Sequence, residues 1–68
     1  MEIFAKRIKE LRAEKKLSLR DMGKVLGIAF SSYYQYETNE SEPTQEMLVK
    51  IADFFGVTTD YLLGRVDY

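Results

Sequence analysis

Apolar residues along the chain recur at three- and four-residue intervals, with charged residues between them. Ile3, Phe4, Ile8 and Leu11 share one face of a helix expected over roughly residues 2–16. On its outer face Glu10 and Glu14 stand four apart, flanked by bases. Ser18 then offers a hydroxyl cap, with Asp21 three residues on in the capping-box position. A short second helix follows, with Met22 and Leu26 facing inward. Gly23 lies inside it, where glycine costs about 1 kcal/mol against alanine, so a close approach of another helix is expected there. Gly27 supplies the left-handed residue that ends this helix.

Ile28 precedes a third helix, expected over about residues 30–37. Tyr33 and Tyr36 share its inward face, leaving Phe30, Ser31, Tyr34 and Gln35 toward solvent. Thr38 to Pro43 is polar and ends in the single proline, which marks a loop. Asn39 is suited to the left-handed turn after a helix end. Thr44 caps a fourth helix, with Glu46 in its first turn and Leu48, Ile51, Ala52 and Phe55 as its stripe. Gly56 closes it, Val57 enters the core, and Thr58 caps a short fifth helix that Gly64 stops. The expectation is an all-α fold of five helices in a single domain over residues 1–68.

Composition narrows the chemistry. The chain has neither cysteine nor histidine. Disulfides, the usual zinc sites and nucleophile–histidine catalysis are thereby excluded. No apolar stretch is long enough to span a bilayer, so neither a membrane nor a metal is an expected partner. Acid pairs occur, but nothing gathers them around a pocket, so an enzyme is the weakest functional class.

The net charge of −1 argues at first against nucleic acid. The sum conceals a division. Residues 1–29 hold eight basic side chains against four acidic ones, a net +4, and residues 30–68 hold two against seven, a net −5. Such asymmetry fits a polyanion partner on one side, as it fits an ordinary solvated helix.

The second and third helices, about residues 18–37, follow the helix-turn-helix plan. From here the sequence resembles the Cro and phage-repressor (lambda-repressor-like) family. The resemblance is carried by Leu17-Ser18, by Met22, Gly23, Leu26, Gly27 and Ile28, and by Tyr36-Glu37. Pro43-Thr44, Ile51-Ala52, Gly56-Val57 and Asp60-Tyr61-Leu62-Leu63-Gly64 continue it along nearly the whole chain.

The resemblance implies a cytoplasmic, nucleoid-associated regulator, of repressor type, that needs no cofactor. It would bind double-stranded DNA as a homodimer on a pseudo-palindromic operator, with the third helix in the major groove. Carried over by position, Phe30, Ser31, Tyr34 and Gln35 are the base-contact candidates. Gln35 can pair with adenine N6 and N7, and Phe30 offers only apolar contact to a thymine methyl. Ser18, Thr38 and Asn39 fall where family members approach phosphates.

Three departures weaken that contact set. Leu19 and Ala29 replace common polar residues, and Glu40 and Glu42 put negative charge in a loop that is often basic in the family. Arg20 and Lys24, four apart on the second helix, are the expected substitutes at the phosphates. The family also pairs an arginine of the first helix with the glutamate ending the third, here Arg12 and Glu37, as a structural salt bridge. Phe54, Tyr61, Val66 and Tyr68 are the expected dimer surface. The alternative is a protein-interaction module on the same scaffold, with an antirepressor- or antitoxin-like partner on the aromatic third helix.

Overall fold

Five helices follow one another along the chain: α1 (Glu2–Glu14), α2 (Leu19–Leu26), α3 (Phe30–Glu37), α4 (Gln45–Phe55) and α5 (Thr59–Leu63). The structure is a computed structural model that describes every residue from Met1 to Tyr68. Local signals account for most helix ends. The Ser18 hydroxyl accepts from the Asp21 N–H at 3.0 Å, and the Asp21 carboxylate accepts from the Ser18 N–H at 2.9 Å. Thr44 and Thr58 cap α4 and α5 through the N–H groups of Met47 and Tyr61. Gly27, Gly56 and Gly64 each stop a helix in the left-handed conformation.

The first helix is shorter than its pattern predicts. It ends at Glu14, and Lys16 turns left-handed at φ 56°. The closing bonds run from the Lys16 and Leu17 N–H groups to Ala13 and Arg12 carbonyls. A lysine in that conformation costs about 1–2 kcal/mol, and no glycine announces the stop.

The core consists of Phe4, Ile8, Met22, Leu26, Tyr33, Ile51, Ala52, Phe55 and Leu62, so every helix contributes to it. Burying each large side chain contributes roughly 1.5–3 kcal/mol. One inward assignment needs correction, and four inward residues are only partly buried. Ile3 is 49% exposed, and Ala5 is buried in its stead. Tyr36 is half-buried at the rim, packed edge-on against Phe4 and Tyr33. Leu11, Leu48 and Val57 likewise lie at the margin of the core.

Gly23 sets how α2 meets α3. A Cβ there would stand 2.8 Å from the Ile28 carbonyl oxygen and 3.0 Å from the Phe30 nitrogen. Real side-chain carbons do not tolerate such distances from backbone, so glycine is what lets α3 begin against α2. Lys50 of α4 donates to the Leu26 carbonyl at 2.9 Å and ties down the end of α2.

Candidate nucleic-acid interface

The helix α3 divides cleanly by face. Tyr33 is fully buried, Tyr36 is half-buried, and Phe30, Ser31, Tyr34 and Gln35 all point to solvent. Phe30 and Tyr34 are 41% and 47% exposed, although both are large and apolar in part. Residues 30 and 34, and 31 and 35, are each one helical turn apart, so the four form one continuous surface.

The far end of α3 is anchored by an ion pair. Arg12 Nε donates to Glu37 Oε2 at 2.6 Å, and Nη2 donates to Oε1 at 3.0 Å. Arg12 Nη1 also donates to the Leu17 carbonyl at 2.9 Å. The Glu37 side chain is only 2% exposed. Its hydrogen bond raises the Arg12 pKa against the opposing effect of burial. Tyr33 lies beside this pair, and its hydroxyl is buried without a hydrogen-bond partner. Burial pushes the Tyr33 phenol far above its ordinary range, and the Glu37 carboxylate pushes the same way.

Next to α3, Arg20 and Lys24 are exposed on α2 and make no ion pair. They border an open cleft of about 310 Å³ whose other walls are Gly23, Ile28 and Phe30. The Arg20 guanidinium lies over the Phe30 ring, 4.7 Å from its centroid. Ser18 is exposed at the start of α2, and Asp21 beside it is held ionised by its bonds to the Ser18 backbone and hydroxyl, which lower its pKa.

Thr38 and Asn39 are engaged within the chain. The Thr38 hydroxyl lies 2.6 Å from a Glu40 carboxylate oxygen, its better acceptor, and 3.2 Å from the Gln35 carbonyl. Asn39 is left-handed at φ 64°, and its side-chain oxygen accepts from the Met1 ammonium at 2.9 Å. That ammonium lies 3.9 Å from Glu42. Thr38 therefore presents less free donor capacity than its position alone suggests, whereas Asn39 is engaged only through its acceptor oxygen.

The four residues expected at a dimer surface are not gathered into one bare patch. Phe54 packs edge-on against Phe55 and lies under the Lys15 ammonium. The Arg7 guanidinium lies 4.2 Å from the centroid of the Tyr61 ring. It also donates to the Tyr61 carbonyl, and to the Val66 carbonyl at 2.7 Å. Tyr68 alone stands free, at 87% exposed. In the sequence Arg7 is only one of the eight basic residues among positions 1–29. A basic residue near the middle of an amphipathic helix carries no signal of its distant carbonyl partners.

Comparison with known proteins fits this arrangement. The helix-turn-helix family model matches residues 8–62. The chain belongs to the Cro and phage-repressor helix-turn-helix family. Its members are DNA-binding regulators, not enzymes. The HTH-type transcriptional regulator AnsR of Bacillus subtilis is 46% identical over 59 residues, which cover 87% of this chain and 51% of that protein. The cryptic phage CTXphi transcriptional repressor RstR of Vibrio cholerae is 40% identical over 63 residues, covering 87% of this chain and 56% of the repressor. The chain thus spans little more than half the length of these relatives. Among solved structures, the P22 c2 repressor in complex with a synthetic operator superposes with a TM-score of 0.83 at 27% identity, covering 91% of this chain and 94% of that one.

Family membership puts the departures in context. Leu19, at a position where the family often carries glutamine, packs against the core. Ala29 is the N-cap of α3 and gives it no side-chain cap. Two polar groups common in the family are thus absent, one at the start of α2 and one at the start of α3.

Proposed function

We propose that this chain is the DNA-reading part of a sequence-specific transcriptional regulator of phage-repressor type. The observation that carries the reading is the solvent face of α3. Phe30, Ser31, Tyr34 and Gln35 stand clear of the fold, while the opposite face is locked into the core by Tyr33.

In this reading α3 enters the major groove and α2 crosses the backbone. Gln35 presents a donor and an acceptor together to adenine, and Tyr34 and Ser31 add single hydrogen bonds to base edges. Phe30 supplies the apolar end of the same face. Arg20 and Lys24 take phosphates, assisted by the Ser18 hydroxyl. Thr38 contributes less, because its hydroxyl already donates to Glu40, while the Asn39 amide keeps its donor for a phosphate. Glu40 and Glu42 repel the backbone, which keeps a single copy weak. Specific binding then requires a homodimer, with two α3 helices about 34 Å apart on a pseudo-palindrome. Tyr68 and the outer edges of Phe54, Tyr61 and Val66 form the contact between copies. The operator complex of the P22 c2 repressor, so similar in fold, supports this mode.

Selection from random duplexes at low salt tests the reading. The expected result is an enriched pseudo-palindrome whose affinity falls steeply as salt rises. Failure to enrich any sequence would overturn it. It would favour instead a protein partner docked on the aromatic face of α3 and the acidic loop.

A further inference from the structure

The Arg20–Phe30 contact assigns Phe30 a task different from base reading. We propose that Phe30 is a positioning residue. It holds the Arg20 guanidinium over its ring, so that Arg20 and Lys24 together seat one DNA phosphate at the mouth of the cleft between α2 and α3. The inference rests on the DNA-binding reading above and deepens it.

Four observations carry it. The guanidinium centre lies 4.7 Å from the ring centroid, well within the range for a cation over an aromatic face. Residues 20, 23 and 24 share one face of α2. Gly23 is the residue whose missing side chain lets the Phe30 backbone approach that face. Neither Arg20 nor Lys24 forms an ion pair, although the Asp21 carboxylate lies near enough to Lys24 for Lys24 to help lower its pKa. The cleft they border, about 310 Å³, opens beside the start of α3.

The arrangement also limits what Phe30 can do by itself. One face of its ring is covered by the guanidinium and cannot lie on a thymine methyl. Phe30 has no hydrogen-bonding atom, so it distinguishes bases only by such contact. Phe30 keeps an open side, at 41% exposed, and in this role its effect on binding passes through Arg20. An exposed arginine loses side-chain entropy when it fixes a phosphate. A ring that holds it in place beforehand removes part of that cost. Leu19 contributes no polar group at this end of the motif, so the preorganised arginine supplies a contact that Leu19 does not.

The test uses the full chain and the duplex that it selects. Phe30→Leu keeps apolar bulk and loses the ring. It should weaken binding about two- to fivefold on every sequence, the fold-change equivalent of one exposed cation–π contact. Base preference should not change. In an Arg20→Ala background the same substitution should have no further effect, and Phe30→Tyr should retain full affinity. Melting curves establish that each variant is folded. A changed preference at any base position would overturn the proposal. So would an equal loss in both backgrounds, or no loss in either. If the unsubstituted chain binds no duplex, the DNA reading falls and this role with it. If it binds and Phe30→Leu shifts base preference, only the positioning role falls.

Discussion

Arg12 and Glu37 are joined by two parallel hydrogen bonds of 2.6 and 3.0 Å, with the carboxylate almost fully enclosed. A third bond from the same guanidinium reaches the Leu17 carbonyl. One side chain of α1 thereby fixes both the entry to α2 and the end of α3. The helix that presents the solvent face is thus held at its far end by charge, and at its start by the backbone contact at Gly23.

Removing Arg12 leaves Glu37 buried without its partner. Arg12→Ala should destabilise the fold by about 3–5 kcal/mol. Arg12→Lys, which cannot form the fork, should fall between the two. Replacing both residues by methionine should cost less than Arg12→Ala alone, because no charge is left stranded. Denaturant unfolding measures all three, and a loss below about 1 kcal/mol for Arg12→Ala would show the pair to be dispensable.

Gly23→Ala tests the contact between α2 and α3. Helix propensity alone favours alanine by about 1 kcal/mol. The backbone atoms of Ile28 and Phe30 leave no room for the added carbon, and overpacking of this kind costs roughly 1–3 kcal/mol. The expected sign is a net loss of stability, together with weaker DNA binding as the start of α3 is displaced. A more stable variant would contradict the close approach.

Asp21 gives the fold a dependence on acid. Its pKa is lowered by the bonds to Ser18, so its contribution to stability is present above the unfolded value of about 3.9. That contribution is lost as pH falls through the lower, folded value. Asp21→Asn should therefore melt below the unsubstituted chain at neutral pH, and the gap should close in strong acid. A gap independent of pH would remove the charge from the explanation.

Tyr33 should act in the alkaline direction. Its phenol is raised by burial, so the neutral form is favoured in the fold. Stability should fall as pH climbs above about 10, where the unfolded chain begins to lose that proton. Ultraviolet titration should show one of the five tyrosines ionising only together with unfolding. Tyr33→Phe should abolish that component. Because it also removes an unpartnered buried hydroxyl, it should leave stability unchanged or raise it. A marked loss of stability would mean that the hydroxyl has a partner in solution.

Gln35→Ala should relax the selected sequence at one base position and leave the salt dependence of binding as it was. Arg20→Ala should do the reverse, flattening the logarithmic salt slope by at most about 0.9, since Lys24 stays at the shared phosphate, with base preference intact. Competition binding at two salt concentrations separates them. Uniform weakening by Gln35→Ala would assign Gln35 to the backbone.

Most of the helices were legible because their signals are local. The Ser18–Asp21 box, the hydroxyl caps at Thr44 and Thr58 and the glycines at 27, 56 and 64 act within a few residues of where they stand. The division of α3 between Tyr33 and the Phe30–Gln35 face follows from helical spacing in the same way. Ile3 and the early end of α1 were not legible. Three apolar neighbours in one turn leave the core face ambiguous, and a lysine in a glycine's conformation has no sequence mark.

The sequence by itself determined the helices, their order and the residues of the solvent face that α3 offers. Tertiary structure alone decided which long side chains are spent inside the molecule and which remain for a partner. Arg7 went to the Tyr61 and Val66 carbonyls, Arg12 to Glu37, and Arg20 to the face of Phe30. These three arginines contribute equally to the charge of the basic first part of the chain. Their fates differ because a flexible cation takes whichever carbonyl, carboxylate or ring the packing of distant helices brings within its reach.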